Sequence, residues 1–122
     1  MTAYLNGEFL PLSAARISPL DRGFLFGDGV YEVIPVYSRR PFRIAEHLRR
    51  LQDSLDGIRL ANPLSNAAWQ GVVERLVADA EFPDQSVYLQ VTRGADDKRD
   101  HAFPIGVAPT VFAFTSPLVA PS

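Results

Sequence analysis

The sequence predicts an α+β domain, two helices packed on a mainly antiparallel sheet. Three observations predict it. Two stretches carry apolar residues at helical spacing, several others alternate at period two, and the elements run strand, strand, strand, helix, helix, strand, strand.

Asn6-Gly7 lies between Tyr4-Leu5 and Glu8-Phe9-Leu10. Both turn residues tolerate positive φ, so the chain is expected to open with a β-hairpin. Ser13 to Gly29 mixes small, charged and glycine residues without a sustained period and reads as a connection ending in the turn Gly27-Asp28-Gly29. From Val30 to Tyr37 the residues are β-branched or aromatic apart from Glu32 and Pro35. Period two places Tyr31, Val33, Pro35 and Tyr37 on one strand face and Glu32, Ile34 and Val36 on the other. Pro35 has no N–H, which calls for an edge strand, a bulge, or an orientation that leaves that position unpaired. Ser38 to Arg40 reads as a turn and Phe42 as a short return strand.

Ile44, Leu48, Leu51, Leu55 and Ile58 form one apolar stripe, predicting a helix over about residues 44–56 with Gly57 placed to end it. Trp69, Val72, Val73, Leu76, Val77 and Ala80 form a second, with Ser65 or Asn66 as N-cap and Pro83 beyond its end. Val87, Leu89 and Val91 alternate with Tyr88, Gln90 and Thr92 in a strand ending at Arg93-Gly94. A polar loop from Ala95 to His101 follows. Thr110 to Thr115 reads as the last strand and Ser116 to Ser122 as a linker or frayed end.

At 122 residues the chain is one domain in size. Its 47% hydrophobic and 21% charged residues are ordinary for a globular protein, which sets disorder aside. No run approaches the length of a membrane span, and no secretory leader is visible. Twelve basic and fourteen acidic residues, mixed along the chain, offer no field for nucleic acid or acidic lipid. Without cysteine there is no disulfide, thiolate nucleophile or thiolate metal site, and the cytoplasm is the default expectation. Two histidines without ligand spacing give no zinc site, and no serine-hydrolase elbow is present.

Among candidate binding residues, His47 and Arg50 are three apart and share a helix face. Together they suit an anion, because a guanidinium fork matches phosphate or carboxylate and an imidazole supplies another donor. A solvated helix face is the plainer local explanation. Arg99 and His101 lie two apart in a loop leaving a strand end, suited to a carboxylate, although Asp96, Asp97 and Asp100 nearby are equally consistent with a solvated loop. Tyr31 in a strand is commonly packing, and Glu32 among apolar neighbours needs solvent or a partner. Gly27-Asp28-Gly29 lacks the spacing of a dinucleotide fingerprint and reads as a sharp turn.

Four segments in order, Asn6-Gly7-Glu8-Phe9, Asp21 through Glu32 (DRGFLFGDGVYE), Glu46-His47-Leu48-Arg49-Arg50-Leu51 and Val91-Thr92-Arg93-Gly94, resemble the fold-type IV enzymes that use pyridoxal 5'-phosphate. That family contains D-amino-acid transaminases, branched-chain aminotransferases and aminodeoxychorismate lyases. Arg99-Asp100-His101 followed by Phe103-Pro104 is similar to the substrate-carboxylate loop of D-amino-acid transaminases, so the resemblance points to that branch. It implies that Arg50 binds the cofactor phosphate with Glu32 and His47 supporting it. It implies also that Tyr31, Arg99 and His101 bind the substrate carboxylate, the last two across a homodimer interface, and that Val33 lines the pocket. Pro35 departs from the polar or longer residue usual there, which leaves side-chain preference open.

The resemblance further implies an amino acid and a 2-oxo acid as substrates. It also requires a lysine that forms a Schiff base with the cofactor. The sole lysine, Lys98, sits beside Arg99 in the carboxylate loop, a poor place for that task. The expectation is therefore an amino-terminal small domain over residues 1–116 and the start of an interdomain linker at 117–122. The lysine would lie in a second domain beyond the chain, which alone is expected to be inactive. A free-standing module for dimerisation or anion binding is the alternative outside enzymes.

Overall fold

The computed structural model describes residues 1–96 and 106–118. Six strands form one sheet, β1 (Thr2–Leu5), β2 (Glu8–Pro11), β3 (Gly29–Tyr37), β4 (Arg40–Pro41), β5 (Gln85–Thr92) and β6 (Thr110–Pro117). Their order is β2-β1-β6-β5-β3-β4, and every pairing is antiparallel. The helices among the described residues are α1 (Arg22–Phe26), α2 (Ile44–Gly57) and α3 (Asn66–Asp79), with a 3-10 turn at Leu12–Ala14. The α+β class holds, with three helices among the described residues where two were expected.

The hairpin turn forms as its residues require, with Asn6 at φ 50° and Gly7 at φ 96°. Alternation then sorts the sheet into two faces. Ile34 and Val36 of β3, Val87, Leu89 and Val91 of β5, and Val111 and Ala113 of β6 are buried under the helices. Leu48, Leu51 and Leu55 of α2 and Trp69, Val72, Val73, Leu76 and Val77 of α3 complete that core. Trp69 donates its Nε1–H to Asn62 Oδ1 at 2.9 Å, so its buried indole leaves no polar atom unpaired, and Asn62 donates in turn to Gln52 of α2. On the opposite face Tyr31, Val33 and Tyr37 are exposed.

Several local expectations change. The connection before β3 contains α1, whose N-cap Asp21 accepts the Gly23 N–H at 2.8 Å and whose C-cap Gly27 is left-handed at φ 65°. Five residues are too few to show a period. Gly57 is the last residue of α2, while the left-handed position falls on Arg59 at φ 56°. Leu60 N–H there reaches back to Leu55 O and brings the Leu60 side chain onto the core. Ser65 is the N-cap of α3, accepting Ala68 N–H at 3.1 Å. The return strand β4 is Arg40–Pro41, one residue before Phe42. β6 runs on to Pro117 because Ser116 and Pro117 still lie opposite Ser86 and Gln85.

Pro35 sits inside the sheet, opposite Ser86 of β5. Its carbonyl accepts Phe42 N–H at 2.8 Å on the β4 side. A strand residue's nitrogen and oxygen point to the same neighbour, so the missing N–H faces away from the β5 ladder. No helix among the described residues is long and apolar enough to cross a membrane.

Candidate functional site

β3 carries the site because its alternation delivers neighbouring residues to opposite faces. Glu32 points to the helix side, where it is 3% exposed. A carboxylate buried that far needs cationic or hydrogen-bonding partners, and α2 supplies two from successive turns. His47 Nδ1 lies 2.7 Å from Glu32 Oε1, and Arg50 Nη2 lies 3.0 Å from the same oxygen. The helical i, i+3 spacing brings the imidazole and the guanidinium to one point. The Arg50 side chain is 72% exposed, and its other donors have no partner among the described residues. One end of the guanidinium is thus tethered, and the rest is presented outward.

Tyr31 and Val33 project from the other face of the same strand, so they do not meet Arg50. β4 pairs only with Val36 and Tyr37, which leaves the outer edge of β3 before Pro35 without a partner strand among the described residues. Tyr31 and Arg50 therefore flank one uncovered edge from its two sides. Tyr31 stacks on Tyr88 of β5 with centroids 5.6 Å apart and planes at 18°. A recess of about 130 Å³ opens beside them, lined by Gly27, Gly29, Tyr31, Tyr88, Gln90 and Thr92. Gly29 has to be glycine, since a Cβ there would stand 2.7 Å from the Val91 carbonyl. Arg99, His101 and Lys98 lie outside the described residues.

A second cluster, unforeseen in the sequence, braces this region. Asp28 Oδ2 accepts from Arg22 Nε at 2.9 Å and Arg93 Nε at 2.8 Å, all three side chains being nearly buried. Arg93 also donates to the carbonyls of Ile58 and Arg59, so the cluster joins α1, the start of β3, the end of β5 and the chain leaving α2. Burial alone would push the Asp28 carboxyl upward. The hydrogen bonds and charges of Arg93 and Arg22 outweigh it and hold the group below the usual aspartate value. Asp21 accepts from Thr110 Oγ1 at 2.6 Å and its backbone bridges to Ala95. The signal available in sequence was three charges beside glycines, and their separation along the chain hides the contact. Tyr88 and Gln90 were likewise readable only as the outward positions of an alternating strand. Among the described residues no group of His, Asp and Glu is arranged to hold a metal ion.

A model of the amino-transferase class IV family matches residues 29–122. A D-alanine aminotransferase from Listeria monocytogenes serotype 4b (strain F2365) is 38% identical over 104 residues, 85% of this chain and 36% of the relative. One from Staphylococcus aureus (strain N315) is 38% identical over 113 residues, 92% of this chain and 40% of its own. Among solved structures, the branched-chain amino acid aminotransferase from Escherichia coli superposes with a TM-score of 0.87 at 20% identity, covering 96% of this chain and 41% of that one. A hypothetical aminotransferase from Mycobacterium tuberculosis, in a PLP-bound form, gives 0.77 at 25% identity over 96% of this chain and 39% of that one. The chain spans about two fifths of the length of the curated relatives it matches.

Proposed function

The chain belongs to the amino-transferase class IV family, and on that premise we propose that it is the amino-terminal domain of a transaminase that passes the amino group of a D-amino acid to a 2-oxo acid. The pairing of Arg50 with buried Glu32 carries the proposal. It gives a permanently charged planar fork, oriented at one end and open at the other, which is the donor set a phosphate monoester needs. Pyridoxal 5'-phosphate fits that arrangement, and Arg50 would hold its phosphate while His47 and Glu32 keep the guanidinium from swinging into solvent. The cofactor, when bound, supplies the aldehyde that takes up and gives back the amino group.

Tyr31 and Val33, on the other side of the uncovered β3 edge, are assigned to the substrate: the phenol to the carboxylate and the valine to the wall beside the side chain. Arg99 and His101 would complete the carboxylate site, supplied across a homodimer. Residues 1–116 form the small domain in this reading, with the linker beginning near 117 and the cofactor-bearing lysine in a second domain. The relatives named D-alanine aminotransferases support D-amino acids over branched-chain substrates, because the branched-chain structural neighbours are too distant in sequence to speak for more than the fold.

The test is turnover of D-alanine and 2-oxoglutarate by the complete enzyme, with pyruvate and D-glutamate formed in equal amounts. The 122-residue chain alone should yield none with the cofactor added. Pyruvate formation by that chain would refute the two-domain assignment. Turnover of L-leucine with D-alanine untouched would replace the D-amino-acid reading by the branched-chain one.

A further inference from the structure

Tyr31 cannot set its own orientation, since the residue is 63% exposed on an open sheet face and a free χ1 would sweep the phenol across the recess. Its ring lies instead on Tyr88. In the β3–β5 register Tyr31 is opposite Gln90, so Tyr88 is its diagonal neighbour, a separation that aromatic side chains span. Tyr88 is fixed at both ends. Phe114 of β6 packs against its ring with centroids at 5.6 Å, and its hydroxyl donates to Gln90 Oε1 at 2.8 Å. That bond also orients Gln90, because an amide whose oxygen is engaged has its NH₂ left to donate, and Gln90 lines the same recess as Tyr31.

We infer that Tyr88 and Gln90 act as a positioning pair for the substrate side of the site, Tyr88 setting the plane of the Tyr31 ring and Gln90 locking Tyr88 in place. The inference rests on the proposed substrate role of Tyr31. Burial and the neighbouring Tyr31 push the Tyr88 phenol above its usual value, so the hydroxyl stays a donor at neutral pH. Neither residue touches the Arg50 cluster, which lies beyond β3. The pair should therefore govern how well the amino acid binds and leave the hold on the cofactor phosphate unchanged.

A double-mutant cycle in the complete enzyme tests this, with Tyr31→Phe, Tyr88→Phe and the combined variant compared on KM and kcat for D-alanine and on affinity for pyridoxal 5'-phosphate. Losing one hydrogen bond in the pair should raise KM for D-alanine about three- to tenfold. In Tyr88→Phe, kcat should stay within about twofold of the parent and cofactor affinity should not move. The KM effect of Tyr88→Phe should vanish in the Tyr31→Phe background, as it must if one residue acts through the other. Gln90→Leu should reproduce Tyr88→Phe. Effects that multiply independently, or a Tyr88→Phe enzyme with unchanged KM beside an impaired Tyr31→Phe, overturn the inference alone. An unchanged KM in Tyr31→Phe overturns both the inference and the substrate role beneath it.

Discussion

Asp28→Asn keeps the shape of the side chain and removes the charge that two nearly buried arginines share. The Arg22 and Arg93 side chains are 5% and 8% exposed, so neither can turn to water for compensation. Two hydrogen bonds between opposite charges become bonds from a guanidinium to a neutral amide oxygen, and at about 1.5 kcal/mol lost in each the loss comes to roughly 3 kcal/mol. Arg93 keeps the Ile58 carbonyl and Arg22 its place over the Phe26 ring, which sets the figure at the low end for a broken buried pair. With an unfolding entropy of about 2.1 cal/mol/K per residue, that corresponds to a Tm lower by roughly 12 °C for a chain of this size.

The pH dependence gives a second readout. The Asp28 pKa is lowered in the folded state, so its contribution is fully present above the unfolded value of about 3.9 and is lost as pH falls through the lower folded value. Urea unfolding of parent and variant at neutral pH and at steps below pH 4 should show a gap that is constant above the unfolded value and closes in acid. A gap under about 0.5 kcal/mol at neutral pH, or one that does not narrow in acid, would refute the assignment of Asp28 as the charge that holds this cluster together.

Two further outcomes follow from local geometry. Gly94 has φ 98°, and a Cβ there would run into the Ala108 carbonyl, so Gly94→Ala should cost about 2 kcal/mol or more in thermal unfolding; a melt matching the parent would contradict that backbone. Arg50→Lys preserves charge and removes the planar fork, and in the complete enzyme it should weaken pyridoxal 5'-phosphate binding about tenfold. Unchanged affinity in a cofactor titration would separate Arg50 from the phosphate.

Residues whose structure is decided by near neighbours were legible in the sequence. The Asn6-Gly7 turn, the stripes of α2 and α3, the Ser65 cap and the parity of β3 each depend on a handful of adjacent side chains. That parity already placed Glu32 opposite Tyr31, and the i, i+3 spacing already paired His47 with Arg50. What it lacked was the docking of α2 on β3, which turns a plausible solvated face into a tether on a buried carboxylate. α1 escaped because its stability comes from capping by Asp21 and Gly27 and from Gly23 lying against Thr92, not from a repeating pattern. The Asp28 cluster escaped for a related reason, since Arg93 is 65 positions away along the chain. Gly57 misled because glycine near a helix end suggests the left-handed position, whereas the backbone placed Arg59 there so that Leu60 could reach the core.

The position of β6 in the sheet constrains how the domain can assemble. The last of the described strands in sequence, it lies between β1 and β5 and is the seam that unites two otherwise separate pieces, the β2-β1 ribbon and the β5-β3-β4 ribbon. The two pieces cannot join into one sheet until residues 110–117 are in place between them. Closing the sheet thus pairs β1 with a strand about a hundred residues further along, a long-range contact whose loop-closure cost favours slow folding over fast local nucleation.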